Sequence, residues 1–229
     1  MIETRISVRN LVEFILRSGD IDNRISGASE NAMVEGTRIH KMIQKRAGSD
    51  YQAEVPLAIK YTEEDVEITV EGRADGIIDN ASGVTIDEIK STYADVMKYK
   101  DAWPVHLAQA KFYAYIYAVQ NNLMTIKVRL TYVNIDTEEV RYFNYTYITE
   151  ELIEFASDVL KQYLKWARFE AEWIEARNNS IKGLPFPFEY RDGQAELVKQ
   201  VYYTIYHKRK LFLEAPTGVG KTISTMYPA

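Results

Sequence analysis

The segment GRADGIIDNASGVTIDEIK, residues 72–90, contains the strongest indication of the fold. Two short apolar runs flank the polar turn Asn-Ala-Ser-Gly, a pattern that predicts a β-hairpin. Side chains two residues apart share one face of a strand, so Glu88 and Lys90 project together while Ile89 packs on the opposite side. The second strand of the hairpin therefore presents an acid and a lysine at one place.

Asp75 lies on the first strand of this hairpin, and an antiparallel pairing centred near residues 80–82 would place it within one or two ladder positions of Glu88. Two carboxylates that close repel each other unless a proton or a cation lies between them, and a hard divalent cation suits oxygen ligands. With Lys90 beside them to steady an attacking hydroxide or a phosphate, the group suits metal-assisted phosphodiester hydrolysis. A salt-bridged hairpin on a solvated face explains the same residues equally well.

The composition is that of a globular protein without cysteine. The 229 residues are 46% hydrophobic and 27% charged, and the formal net charge is −5. Without cysteine, this stretch of chain holds no disulfide, no cysteine-ligated zinc and no iron–sulfur cluster. We expect a cytoplasmic protein with no membrane partner, because the sequence has no apolar run of membrane-spanning length and no secretory signal. The negative charge argues against general coating of nucleic acid and says little about a local basic cleft.

The order of elements predicts a mixed α/β fold around one central sheet. Helices are expected at 7–18, 29–46, 105–121 and 150–177, and strands at 51–60, 66–79, 83–90, 125–134 and 139–148. Residues 178–188, NNSIKGLPFPF, combine Asn, Ser, Gly and Pro and indicate a linker. We therefore assign residues 1–177 to one domain and residues 189–229 to a second segment.

The second segment contains a P-loop pattern. A short strand-like run, LFLEA (211–215), leads into APTGVGKT (215–222), in which alanine replaces the leading glycine of the pattern. In such a loop, backbone N–H groups face phosphates, the lysine reaches the β- and γ-phosphates, and the threonine holds Mg²⁺. The candidate nucleotide-binding residues of this loop are Gly218, Gly220, Lys221 and Thr222. ATP hydrolysis also needs an acidic strand and a group that positions water, so we expect none from this chain alone.

Four blocks of the first domain, taken in order, resemble the RecB-like branch of the PD-(D/E)XK nucleases. They are GTRIH (36–40), GRAD (72–75), EIK (88–90) and QAKFY (109–113). The resemblance implies a restriction-endonuclease-like core, with a central mixed sheet flanked by helices. It also implies that the first domain hydrolyses DNA with the help of a divalent cation.

The resemblance implies a set of metal ligands. Asp75, Glu88 and the backbone carbonyl of Ile89 would bind the cation, and His40 would be an additional ligand. An imidazole among the ligands makes Mn²⁺ an alternative to Mg²⁺. Glu54, on the first strand, could join the outer shell of the metal.

The resemblance also implies the catalytic residues and the substrate. Lys90 would be the catalytic lysine, and Gln109 and Tyr113, one helical turn apart, would steady Lys90 or the DNA backbone. Single-stranded DNA or DNA ends are the expected partner, since basic groups near an acidic centre suit a phosphodiester backbone. The basic candidates are Arg38, Lys41, Lys45, Arg46, Lys98, Lys100 and His106. A solvated basic helix face is the alternative explanation for them.

The segment after the linker resembles the opening of a superfamily 2 helicase of the XPD/DinG type. Arg191 and Gln194, in YRDGQ (190–194), match the block that reads adenine, and PTGVGKT matches the first helicase motif. The resemblance implies a longer parent with a nuclease first and a helicase second, of which this chain is the N-terminal piece. ATP would be a cofactor only with that downstream helicase domain present.

Two functions from different classes follow from these observations. The first is a metal-dependent DNA exonuclease that processes ends for an attached helicase in DNA repair or recombination. The second is a catalytically idle DNA-binding or docking module that positions the helicase. Asp75, Glu88 and Lys90 favour the first, because an idle module has no need to hold two acids together.

Overall fold

A six-stranded mixed sheet organises the first part of the chain. The computed structural model describes residues 1–18 and 30–228, which divide into two units, Met1–Glu172 and Trp173–Ala229. The strands are β1 (Ile2–Ser7), β2 (Tyr51–Glu63), β3 (Val66–Asn80), β4 (Gly83–Thr92), β5 (Thr125–Asn134) and β6 (Val140–Ile148). The helices are α1 (Val8–Ile15), α2 (Glu30–Arg46), α3 (Pro104–Gln120), α4 (Thr149–Ile181), α5 (Gln194–Tyr206) and α6 (Lys221–Met226). Across these residues, no helix combines the length and the apolar character needed to cross a membrane.

Strand β3 pairs with three other strands of the described sheet, β1, β2 and β4. One edge pairs antiparallel with β2 from Val66 to Ile78. The other edge pairs first with β1 in parallel, ending at Glu71, and then with β4 in antiparallel fashion, starting at Gly76. Residues 72–75 lie between these two ladders, so the described strands leave an opening in the sheet at this point.

Helices cover both faces of the sheet, which confirms the predicted mixed α/β architecture. The larger core joins α1, α3 and α4 to the face that carries Ile86. A smaller cluster joins Ile39 and Ile43 of α2 to Ile89 on the opposite face. The predicted alternation along β4 is therefore confirmed, and it places α2 and α3 on opposite sides of the strand that carries Glu88 and Lys90.

The predicted and observed elements differ at the start of the chain. Residues 2–7 form β1, which the sequence prediction lacks, and the expected helix at 7–18 is the shorter helix α1. Ser7 ends the strand and caps the helix, because its hydroxyl oxygen accepts a hydrogen bond from the backbone N–H of Asn10 at 3.1 Å. Strand β1 forms by pairing with β3, about 60 residues away in sequence, which no local pattern reveals. Residue 29, the expected start of the second helix, lies outside the described residues.

The second part of the chain departs from the prediction at the strand expected over residues 211–215. These residues have no regular secondary structure, so the prediction is wrong. A strand needs a neighbour for its backbone groups, and Phe212 is 95% exposed. Helix α4 extends to Ile181, into the stretch expected to be a linker at 178–188. The assignment of 1–177 and 189–229 to separate domains stays a prediction.

Gly76 provides a test of the packing around the hairpin. A Cβ atom at this position would lie 1.9 Å from the ring of Tyr51, whose hydroxyl donates to Asp87 Oδ2 at 3.2 Å. We expect Gly76→Ala to displace this ring and to lower the free energy of unfolding by about 1–3 kcal/mol in denaturant titration. Gly48→Ala is the control, since a Cβ there meets nothing within 4 Å. Equal stability of the two variants would contradict the packing.

Candidate active site

Asp75 and Glu88 oppose each other at the opening in the sheet. The β3–β4 ladder ends at the pair Gly76–Asp87, so Asp75 and Glu88 are the next two residues facing one another, and the predicted register is confirmed. Asp75 Oδ2 accepts a hydrogen bond from the backbone N–H of Ile89 at 2.8 Å. This bond occupies the position where the backbone ladder has stopped, and it holds the aspartate between the two strands.

Glu88 is the most buried of the candidate acids, with 2% of its side chain exposed. Its Oε1 accepts a hydrogen bond from Lys90 Nζ at 2.8 Å, whereas its Oε2 has no hydrogen-bond partner within the described part of the chain. The pKa of Glu88 is raised to about 7. Burial is the main cause and the charge of Asp75 adds to it, while the nearby Lys90 acts in the opposite direction. A buried acceptor without a partner is costly, so this oxygen is well suited to bind a proton or a cation.

His40 brings helix α2 to the same place. Its Nδ1 lies 3.4 Å from Asp75 Oδ1. Burial lowers the pKa of His40, but the hydrogen bond and the charge of Asp75 outweigh it and hold the pKa above its ordinary value. The raised pKa favours the protonated imidazole beside the aspartate, and a metal ion bound at this nitrogen would replace that proton.

Glu54 completes this group through an unusual backbone conformation. Its φ is 58°, in the left-handed region that residues other than glycine rarely adopt. The residues on either side of it pair with β3 in regular register, so Glu54 lies opposite Asp75. Ligand atoms of His40, Glu54 and Asp75 all lie within 4.8 Å of one another. Glu54 thus lies nearer to the candidate centre than the outer position considered from sequence.

The donor atoms around this centre fit a hard divalent cation. Two carboxylates and one imidazole lie within 4.8 Å of one another, and Glu88 opposes Asp75 on the neighbouring strand. Carboxylate oxygens with a single nitrogen suit Mg²⁺ or Mn²⁺. The unpartnered Oε2 of Glu88 is the observation of this structure that such a cation would explain. Ile89 follows Glu88 directly on β4, and the part of its carbonyl in metal binding stays a prediction.

Lys90 and Gln109 are joined as the sequence blocks led us to expect. Lys90 Nζ donates to Gln109 Oε1 at 3.0 Å, in addition to its contact with Glu88. Tyr113, one turn further along α3, packs against β3 at Gly72, where a Cβ atom would lie 2.7 Å from the tyrosine hydroxyl. Burial, together with the charge of Glu88, raises the pKa of Tyr113 to about 12, so its hydroxyl stays protonated at neutral pH.

An open cleft of about 810 Å³ lies over His40, Glu54 and Asp75. Its lining residues are Arg9, Gly36, Thr37, His40, Lys41, Gln44, Glu54, Arg73, Asp75, Gln109 and Tyr113. Lys90 contacts this lining through Gln109. The cleft lining therefore combines acidic and cationic side chains.

Several basic residues expected near the site lie elsewhere. Arg38 and Arg46 both bind Glu138, each at 2.9 Å, rather than lining the cleft. His106 Nδ1 is hydrogen-bonded to the hydroxyl of Tyr132 at 3.0 Å, and burial lowers the pKa of His106 to about 4. His106 is thus uncharged at neutral pH, and its interpretation as a DNA-binding cation is wrong.

Arg9, Gln44 and Arg73 line the cleft, and the sequence patterns assigned no role to any of them. Gln44 carried a usable signal, because it follows His40 by one helical turn on the same face of α2. Arg73 belongs to the GRAD block itself. Arg9 carried no such signal, since its position depends on the pairing of β1 with β3.

The residues expected to bind nucleotide lie together in the second unit. The guanidinium of Arg191 donates to the carbonyl of Gly218, and the backbone N–H of Arg191 donates to Gln194 Oε1 at 3.0 Å. Gln194 also packs against Gly220, where a Cβ atom would lie 2.5 Å from its amide nitrogen. Gly218 and Gly220 have φ angles of 86° and 78°, which explains the glycines of the loop.

Lys221 folds back onto the P-loop. Its Nζ donates to the carbonyls of Ala215 and Pro216 at 2.9 and 2.8 Å. Thr222 follows in the first turn of α6. The loop thus has the composition and the grouping expected of a phosphate-binding loop, while its binding of ATP stays a prediction.

Cation binding at the candidate centre should release protons near neutral pH. Glu88, with a pKa of about 7, ionises as the pH rises through that value, and His40 must lose its proton to act as a ligand. We expect Mn²⁺ affinity, measured by isothermal titration calorimetry, to increase from about pH 6 to about pH 8. At pH 7 the apparent enthalpy should differ between buffers of different ionisation enthalpy. A pH-independent affinity with no proton release would contradict this arrangement.

Comparison with known proteins gives one match over most of the chain and several partial or distant ones. A probable ATP-dependent helicase of Methanocaldococcus jannaschii is 44% identical over 45 residues, which are 20% of this chain and 7% of the length of that relative. The solved alkaline exonuclease of Laribacter hongkongensis is similar with a TM-score of 0.49 and 12% identity, over 77% of this chain and 94% of that one. The solved structure of SSO0001 has a TM-score of 0.47 and 18% identity, over 69% of this chain and 76% of that one.

The match to a protein family covers more of the chain than the individual similarities do. The family described as the PD-(D/E)XK nuclease superfamily matches residues 9–191, a span that begins in α1 and includes the whole candidate centre. Its range contains the opening in the sheet, the paired acids and the lysine described above. The chain therefore belongs to the PD-(D/E)XK nuclease superfamily.

Proposed function

We propose that this chain is a metal-dependent deoxyribonuclease that hydrolyses phosphodiester bonds. The observation that supports this most directly is the pair of acids at the opening of the sheet, with Lys90 2.8 Å from Glu88 and with Glu88 Oε2 buried and unpartnered in the described residues. Two acids held this close are costly unless a cation or a proton lies with them. Membership of a nuclease superfamily is consistent with a cation that takes part in phosphodiester hydrolysis.

The proposed ligands come from four elements. His40 on α2, Glu54 on β2, Asp75 on β3 and Glu88 on β4 would hold Mg²⁺ or Mn²⁺, together with the carbonyl of Ile89. When bound, the cation supplies Lewis-acid polarisation of the phosphoryl oxygen and lowers the pKa of a bound water. Ligands from four separate elements fix this centre only when the whole domain is folded.

The other residues of the site would bind and orient the DNA phosphates. Lys90 Nζ is held between Glu88 and Gln109, so it places a fixed positive charge where the phosphate and the attacking oxygen would meet. Tyr113 keeps its proton at neutral pH and can donate a hydrogen bond to a phosphate oxygen. Arg9, Lys41 and Arg73 line the cleft walls and would bind the flanking phosphates.

We propose DNA, as a single strand or at its ends, as the substrate. Contacts to phosphates position a strand without reading its bases, and the cationic groups of the cleft suit that kind of contact. The exonuclease assignment rests on the resemblance of the four sequence blocks to the RecB-like branch. It remains part of the proposal.

We further propose that residues 189–229 are the beginning of a helicase module in a nuclease–helicase that acts in DNA repair or recombination. The partial identity to a probable helicase supports this, as does the grouping of Arg191 and Gln194 with the P-loop glycines. Lys221 would exchange the loop carbonyls for the phosphates of ATP. The XPD/DinG type is part of this proposal.

The experiment measures cleavage of end-labelled single-stranded DNA in Mg²⁺ or Mn²⁺. We expect Asp75→Asn and Lys90→Ala each to lower the rate by at least about 100-fold, because each removes charge from the reacting centre. Asp79→Asn, on β3 like Asp75, and Lys161→Ala, at an exposed lysine of α4, are the controls; neither residue lines the cleft, and their rates should equal wild type.

Cleavage without a divalent cation, or cleavage that survives both active-site substitutions, would contradict the nuclease proposal. The alternative of an idle docking module predicts a different result. In that case wild-type protein would bind the labelled strand and leave it intact with either cation.

A further inference from the structure

We propose that Gln44 is a positioning residue of the metal centre. It holds the carboxylate of Glu54 and the β3 backbone at Asp75 in one arrangement, so that both acids face the same cation. This inference rests on the proposed metal-dependent function and adds to it a residue that does not itself bind the cation.

The side-chain amide of Gln44 connects the elements that carry the ligands. Its Nε2 donates to Glu54 Oε1 at 2.9 Å and to the backbone carbonyl of Asp75 at 3.0 Å. Gln44 lies one helical turn after His40 on α2. One side chain therefore joins α2, β2 and β3 beside three of the four proposed ligand side chains.

Glu54 depends on such partners because its backbone is strained. A left-handed conformation is unfavourable in a residue other than glycine and persists only when the surroundings enforce it. Arg73 Nε donates to Glu54 Oε2 at 2.7 Å, so the two carboxylate oxygens are each held by one donor. Each oxygen keeps a further lone pair that can bind a cation.

A neutral amide suits this position better than a charged group. Its NH₂ has two protons for two acceptors, and both acceptors are present at hydrogen-bond distance. A lysine would add positive charge beside the cation, and a carboxylate would repel Glu54. Outer-shell donors of this kind orient metal ligands, and their loss weakens metal binding.

The test replaces Gln44 with methionine, which has similar length and no N–H donor. We expect the dissociation constant for Mn²⁺, measured by calorimetry on the full chain, to increase by about 10- to 100-fold. Gln52→Met is the matched control, because Gln52 is an exposed residue of β2 that does not line the cleft. Its Mn²⁺ affinity should equal wild type. If Gln44→Met does not fold, Gln44→Ala serves for the same measurement.

A double-mutant cycle separates positioning from a structural role. Because Gln44 acts largely through Glu54, Gln44→Met should weaken Mn²⁺ binding much less in a Glu54→Gln background than in wild type. A merely structural glutamine would instead lower the melting temperature in chelator and leave Mn²⁺ affinity unchanged.

The outcomes distinguish this inference from the proposed function. Wild-type protein that binds no Mn²⁺ would overturn both of them. Wild-type binding that Gln44→Met and Gln44→Ala reproduce would overturn the positioning role alone. Equal weakening by Gln44→Met with and without Glu54 would also overturn it.

Discussion

The burial of Glu88 opposite Asp75 is the constraint on which the rest of the candidate site depends. The two carboxylates oppose each other at the end of a ladder, and Glu88 is almost completely buried. Lys90, His40 and the backbone N–H of Ile89 each offset part of the negative charge. One carboxylate oxygen of Glu88 still has no partner in the part of the chain that the structure describes. A cation at this point would balance the charge and account for that oxygen.

The neighbouring acid, Asp87, shows what a structural carboxylate looks like on the same strand. It is fully buried, and Arg129 binds it through two hydrogen bonds of 2.9 and 2.7 Å. Thr131 and Tyr51 donate to it as well, at 2.5 and 3.2 Å. Asp87 is thus satisfied by protein groups alone and stabilises the hairpin from the face opposite Glu88. The contrast between satisfied and unsatisfied acids separates the structural side of β4 from the proposed catalytic side.

The hairpin could be predicted from the sequence, whereas the elements that surround it could not. A short polar turn determines the β3–β4 register, so the opposition of Asp75 and Glu88 followed from local pattern. Strand β1, the left-handed backbone of Glu54 and the neutral state of His106 depend on long-range packing, which spacing along the chain does not encode. The predicted strand at 211–215 failed for the related reason that an apolar run becomes a strand only beside a partner.

A cation between Asp75 and Glu88 can be located in crystals of this protein soaked with Mn²⁺. Anomalous scattering locates the ion independently of any assumption about the ligands. We expect an anomalous peak within coordination distance of carboxylate oxygens of both Asp75 and Glu88, on the side of His40. The absence of a peak there, or a peak that contacts neither acid, would contradict it.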